Sequence, residues 1–200
     1  MVSSRHLVIF LKAPRIGTVK TRLARDLGRV PAWVFYRRQV QKLIRRLRDP
    51  RWEMTLFVSP DRFALSGNFW PHNLLHQAQG RGDLGQRMQR AFDGLPSGPA
   101  VIIGGDIPDI TKADISAAFR SLENHDMTFG PAEDGGYWLV GMRRRPRILR
   151  PFEKVRWSTE HALEDTLANI HPECRIARLR TLTDIDDITD FERAGLPRPL

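Results

Sequence analysis

The sequence predicts a three-layer α/β/α fold, with a mixed, mostly parallel sheet carrying helices on both faces. Three observations predict it. Short apolar runs of strand character alternate with helix-period segments along the chain, the pattern of a parallel sheet joined by helical crossovers. The run "AVIIGGD" (100–106) is apolar at successive positions, as expected of a buried strand. With 41% of its 200 residues hydrophobic, the chain can build a sizeable core without disulfide or metal staples.

The elements follow in order. "HLVIFL" (6–11) is a buried first strand bounded by Lys12 and Pro14. Pro31 suits the first turn of a helix over 31–48. On it Trp33, Tyr36, Val40, Leu43, Ile44 and Leu47 share one face, which reads as core, while Arg37, Arg38, Lys42, Arg45 and Arg46 fall largely elsewhere. "MTLFVS" (54–59) is the next strand and "NLLHQ" (73–77) a short one, followed by a helix in "DLGQRMQRAF" (83–92). Thr111 and Asp114 supply a capping pattern for a helix over 112–122. "DMTFGPA" and "GYWLVGM" are strands split by an acidic, glycine-rich turn, and an antiparallel strand is expected to enter there. Ser158 or Thr159 would cap "EHALEDTLANI" (160–170); "CRIARL" returns as a strand, and a short acidic helix closes the fold. No repeat or linker divides the chain, so a single domain over 1–200 is expected.

Composition narrows the setting. Cys174 is the one cysteine, so no internal disulfide can form, which fits a reducing cytosol. The apolar run before Lys12 is too short for a signal peptide or membrane span, and a cytoplasmic location is expected. The net charge of +9 is concentrated in residues 36–51 and 142–156. Both stretches lack the aromatic interleaving of a single-strand platform, and no nucleic-acid motif is visible. They read as a solvated helix face and a loop that would also attract phosphorylated small molecules, so no nucleic-acid partner is expected. Neither a Cys/His zinc cluster nor a G-x-S-x-G nucleophile motif is present.

Four segments carry chemistry. In "FLKAPRIGTVKTRLARDLG" (10–28) the spacing fails the P-loop rule, because Val19 precedes Lys20 and the earlier glycine is missing. The ingredients of a phosphate site remain: Gly17 for close backbone approach, a helix start with free N–H groups, and the cations Lys12, Lys20 and Arg22 beside Thr21. In "IIGGDIPDI" (102–110) a buried strand delivers Asp106 to the carboxyl edge of the sheet, where α/β folds bind ligands. There it could hold a hard cation such as Mg²⁺, the alternative being a turn-capping aspartate. In "GPAEDGGYWLVGM" (130–142) Glu133 and Asp134 sit beside a Gly135-Gly136 turn. Tyr137 and Trp138 alternate faces there, and Trp138 is expected in the core. In "TLTDIDDITDF" (181–191) the D-x-D pair Asp184 and Asp186 could add metal ligands, or the group could cap the helix that follows.

Taken together, "KAPRIGTVKTRLA", "GDLGQRM", "GGDIPDI", "GPAEDGGYWLVG", "WST" (157–159) and "TDIDD" resemble the bacterial GT-A-like transferases called radical-SAM/selenodomain-associated glycosyltransferases. That group is similar to the nucleotidyltransferases CofC (phospholactate guanylyltransferase) and MobA (molybdenum-cofactor guanylyltransferase). The resemblance covers nearly the whole chain and implies a nucleotide-diphospho-sugar transferase fold. It implies that Lys12, Gly17, Lys20, Thr21 and Arg22 bind nucleotide phosphates, and that Asp83, Leu84 and Gly85 lie beside the base and ribose. It further implies metal binding by Asp106, completed by Asp184 and Asp186. Gly105 and Ile107 replace the residues many relatives carry beside that aspartate, with Asp106 and Pro108 kept.

The reaction expected first is Mg²⁺- or Mn²⁺-dependent nucleotidyl transfer from an NTP to an anionic small-molecule acceptor, with Lys20, Arg22 and Asp106 stabilising charge. A second reading is glycosyl transfer from a nucleotide sugar, with Asp134 activating an acceptor hydroxyl. A third is a nucleotide-binding protein without turnover.

Overall fold

Strand β4 (Ala100–Gly104) is buried on both faces because it lies inside a seven-stranded sheet. The computed structural model describes residues 4–64 and 69–195, so the ends of the expected 1–200 domain lie outside the described residues. The other strands are β1 (His6–Lys12), β2 (Glu53–Ser59), β3 (Leu75–Ala78), β5 (Met127–Pro131), β6 (Tyr137–Met142) and β7 (Ile176–Arg178). Their order across the sheet is β3-β2-β1-β4-β6-β5-β7. Among the described residues only β6 runs against its neighbours, pairing antiparallel with β4 and β5, where the sequence predicts the reversal. All other pairings are parallel.

The period of a strand sorts its side chains between two cores. Leu7, Ile9 and Leu11 of β1 face one side, with Leu56, Val58, Val101 and Ile103. That side is covered by α2 (Arg29–Leu47) and α4 (Lys112–Asn124), through Tyr36, Val40, Leu43, Ile115 and Phe119. Val8, Phe57 and Ile102 face the other side, beneath Met88, Ala91 and Phe92 of α3 (Leu84–Gly94). Leu163 and Leu167 of α5 (Ala162–Ala168) pack on this second core. Trp138 belongs to the first core and Tyr137 to the second, as alternation requires.

A third, smaller core joins α1 (Leu23–Leu27), the start of α2 and α6 (Ile188–Arg193). Its buried members are Leu23, Ala32, Phe35, Ile185 and Phe191, with the Phe35 and Phe191 rings 5.2 Å apart edge to face. No hydrophobic period marks it, since its residues come from three short segments.

Capping follows the sequence at α4, where Thr111 opens the helix with a capping box to Asp114, and departs from it at α5. Asp83 also opens α3 with a box to Gln86, a cap the sequence reading does not include. Helix α5, in contrast, starts after His161 with no side-chain cap; Thr159 bonds its turn instead, and Ser158 adopts φ 62°. The basic stretch 142–156 also differs from a solvated loop. Arg144 is 9% exposed and donates to the carbonyls of Leu95, Pro96 and Gly98, so it pins the turn before β4. Among the described residues no helix is long and apolar enough to cross a membrane.

Candidate functional site

Every strand but β6 ends at one rim of the sheet, and β6 starts there. A cleft of about 490 Å³ runs along that rim. Its floor includes Lys12 and Gly104 at the strand ends, and Asp106, Asp134 and Asp184 line one part of it. Aromatic walls come from Phe10, stacked 5.7 Å from Phe57, and from Tyr137 and Trp157, whose rings lie 6.3 Å apart.

Asp106 follows β4 through two glycines with different tasks. Gly104 has open space where a Cβ would project, so the cleft reaches the strand end. At Gly105 a Cβ would fall 2.4 Å from Leu11, so packing against β1 explains its missing side chain. The Asp106 carbonyl accepts a bond of 3.2 Å from the buried side chain of Gln39.

Lys20 reaches the same place from the first loop. Its ammonium lies 3.0 Å from Oδ1 of Asp106 and 3.0 Å from Oδ1 of Asp186, and its side chain is 4% exposed. Burial opposes its charge, but the two carboxylates win and hold its pKa above the ordinary lysine value. The backbone of Lys20 is at φ 48° and that of Gly17 at φ 78°, so the loop turns sharply on both sides of Val19. Arg22, largely exposed, stands 3.7 Å from Oδ2 of Asp186.

The third small core explains how these distant segments meet. Ile185 is buried between Asp184 and Asp186 in sequence, and it packs with Leu23, the residue after Arg22. One apolar anchor thus fixes both the cationic loop and the late aspartates. Burial first, then Asp186 and Asp134, push the carboxyl of Asp184 up to about 6, against the pull of Lys20.

Among the described residues, no three carboxylate, imidazole or thiol groups converge closely enough to cage an ion. Lys20 instead stands between Asp106 and Asp186, and both carboxylates act on Asp184. The donors are all hard oxygens, and Mg²⁺ usually takes one or two carboxylates plus water and phosphate oxygens, so a full protein cage is not required.

Other expected residues are placed differently. Lys12 lines the cleft with an exposed side chain, whereas Gly17 and Thr21 are exposed on the loop outside its lining. Leu84 lines the cleft at 42% exposure. Gly85 is buried beneath Phe152 and Trp157, and Asp83 spends a carboxylate oxygen capping α3, 2.8 Å from the Gln86 N–H. Both border a neighbouring cavity of about 600 Å³. Asp134 is exposed at the cleft, with Oδ1 accepting from Gly136 N–H at 2.9 Å. Asp187 caps α6 through a box with Asp190, which is the capping alternative for that aspartate.

Three site residues carry no sequence signal as such. Tyr36, read as core, accepts from the Lys12 N–H at 3.0 Å and donates to the Lys12 carbonyl at 2.9 Å. Burial drives its phenol pKa far up, so it acts as a neutral clamp. Gln39 and Gln79 are the others; a polar residue on the apolar face of α2 was the available clue to the first.

Comparison with curated proteins gave no match. Among solved structures, a Desulfovibrio desulfuricans G20 protein assigned as a nucleotide-diphospho-sugar transferase is 27% identical, with a TM-score of 0.86 over 96% of this chain and 87% of that one. The 4-diphosphocytidyl-2C-methyl-D-erythritol synthase of Anaerococcus prevotii DSM 20548 is 8% identical, with a TM-score of 0.61 over 96% of both chains. Rv0371c of Mycobacterium tuberculosis H37Rv, solved with manganese, is 14% identical at a TM-score of 0.52, covering 96% of this chain and 98% of that one. The fold is therefore that of the nucleotide-diphospho-sugar transferases. A family model matches residues 42–159, which include Asp83, Leu84, Gly85, Asp106 and Asp134, and the chain belongs to that family, described as "uncharacterized protein conserved in bacteria (DUF2064)".

Proposed function

We propose that this protein is a divalent-metal-dependent nucleotidyltransferase of the cytoplasm, built as one transferase domain over residues 1–200. The observation that carries the reading is the meeting of Lys20 with Asp106 and Asp186 at the cleft, flanked by Lys12, Arg22 and Asp184. Such a mixture of cations and hard-oxygen donors matches a polyphosphate travelling with its metal. Similarity to a nucleotide-diphospho-sugar transferase and to a cytidylyl-carrying synthase supports a nucleotide as the donor.

Asp106, with Asp184 and Asp186, would hold Mg²⁺ or Mn²⁺; when bound, the ion neutralises charge on the leaving phosphates. Lys12, Lys20 and Arg22 orient and neutralise the triphosphate. An oxyanion of the acceptor forms a bond to the α-phosphorus, the bond from that phosphorus to the β-bridging oxygen breaks, and pyrophosphate leaves with the electron pair. An acceptor that arrives ionised needs no general base, so alignment and charge carry the acceleration.

A second reading has its own observation. Asp134 keeps one carboxylate oxygen clear of the turn bond and lines the cleft. In a glycosyltransferase it would take the proton of an acceptor hydroxyl as that oxygen bonds to the sugar carbon and the carbon–oxygen bond to the diphosphate breaks, the nucleoside diphosphate leaving with the electron pair. Thermal-shift measurements with NTPs and nucleotide sugars, with and without Mg²⁺, separate the two. Metal-dependent stabilisation by NTPs is expected; stabilisation by nucleotide sugars alone would overturn the first reading. Asp106→Ala should abolish the metal dependence.

A further inference from the structure

The rim opposite the cleft carries a second cavity, of about 240 Å³. It lies beyond the end of β6 and the starts of β5 and β7, and the basic run 143–147 forms much of its wall. Arg143, Arg144, Arg145 and Arg147 line it, against two carboxylates, Asp126 and Glu173. Those carboxylates offset the arginines only in part. Asp126 spends Oδ1 on Arg143 at 2.7 Å and Oδ2 on the Arg175 N–H at 2.9 Å. Glu173 is exposed and lies 3.7 Å from His171.

Arg144 is a buried cation without a counterion. It is 9% exposed, and its guanidinium donates to the carbonyls of Leu95, Pro96 and Gly98. Among the described residues no carboxylate pairs with it directly; Asp93 acts on it from farther away. Burial outweighs that attraction and pulls its pKa below the ordinary arginine value. A charge met by neutral oxygens alone is costly to bury. The Nε–H of Arg144 and that of Arg143 are also buried without an acceptor among the described residues.

More donors stand ready at the same cavity. Arg145 spends Nε and Nη2 on the Ser97 hydroxyl oxygen and keeps Nη1. Arg147 is exposed, with no hydrogen bond or ion pair among the described residues. Guanidinium forks match the oxygens of a phosphate, and four arginines against two carboxylates leave the surplus charge that a dianion needs. The cavity has about half the volume of the cleft, which suits a phosphate group rather than a whole nucleotide.

We propose that this arginine cavity binds a phosphate dianion, either the free ion or the phosphate of a small ester. Arg145 and Arg147 donate to its oxygens, and Arg144 supplies buried positive charge. The site is separate from the cleft and does not depend on the nucleotide reading. Arg144 and Arg145 also hold residues 95–98, so a bound anion would brace the turn leading into β4.

Cys174, the one cysteine of the chain, lines the same cavity and can report on it. Its alkylation by neutral iodoacetamide is followed in the native chain with inorganic phosphate, with glycerol 2-phosphate, and with sodium chloride at matched ionic strength. Phosphate or the ester should slow the reaction saturably, and chloride should not. Calorimetric titration reads the affinity of the same anions directly. Arg147→Glu, an exposed change checked for fold by thermal unfolding, should weaken both binding and protection by about tenfold or more. Tighter binding of inorganic phosphate makes the ligand the free ion; tighter binding of the ester makes it a phosphorylated small molecule. Equal slowing by chloride would reduce the effect to charge screening and overturn the assignment. Binding and protection unchanged by Arg147→Glu would overturn it as well, because the anion then sits elsewhere. So would the failure of both anions to bind.

Discussion

The ammonium of Lys20 lies 3.0 Å from Oδ1 of Asp106 in a nearly solvent-free position, so the resting protein keeps a monovalent cation beside the aspartate proposed to hold a metal. If Asp106 holds a divalent ion, Lys20 would have to give up that pair and would be free to face the phosphates. Reductive methylation followed by mass spectrometry should find Lys20 protected alone and labelled once Mg²⁺ and a bound nucleotide are added. Lys20→Met should lower turnover by at least about a hundredfold. Unchanged labelling would make the pair structural only.

Asp184 gives a pH signature. Its carboxyl, raised to about 6 from 3.8, binds a proton more tightly in the folded chain than in the unfolded one. The stability it contributes is complete below 3.8 and is lost as pH rises through 6. Asp184→Asn should therefore raise the melting temperature above pH 7, with the gain fading below pH 4 as both side chains become neutral. Partial solvent screening reduces the effect to about 1 kcal/mol, or about 2–4 °C. Thermal unfolding across pH checks both sign and range.

Ile185 links stability to the site. Ile185→Ala removes a buried branched side chain from a core of few members, and urea unfolding should show a loss of about 2–4 kcal/mol. The variant should also bind nucleotide with a weaker metal dependence, because Asp184 and Asp186 lose the anchor between them.

Tyr36 acts through the Lys12 backbone. Tyr36→Phe leaves one N–H and one carbonyl without their phenol partner, at a cost of about 1–3 kcal/mol. A fall in kcat/KM of about tenfold, with a native circular dichroism spectrum, would identify the phenol as a positioning group; full activity would confine it to the core.

The sheet was legible in the sequence because its strands are apolar runs with clear ends, and "AVIIGGD" alone locates its centre. The chain reversal at β6 was legible from the turn chemistry of residues 133–136. Asp106 could be placed at the rim by strand register. That Lys20 would sit between Asp106 and Asp186 could not, since 166 residues separate it from Asp186 and their meeting depends on the packing of Ile185. Gln79 was invisible for a related reason, since its buried amide bonds the carbonyls of Leu11 and Phe57 on other strands. Arg144 misled in the opposite sense, looking like one more surface charge in a basic run.

The β5–β6 hairpin separates two ways in which this cleft can change. A crossover helix brings the chain to the ligand rim once per strand, but the hairpin turns at the rim itself, and residues 132–136 lay Ala132, Asp134 and Gly136 along the cleft in succession. Gly135, at φ 83° with a Cβ position only 2.1 Å from the Glu160 carbonyl oxygen, fixes where that turn docks. Insertions on either side of Gly135 could remodel that wall of the cleft without disturbing the pairings of β1, β2 and β3. One scaffold could then present differently shaped clefts through changes in a single short turn.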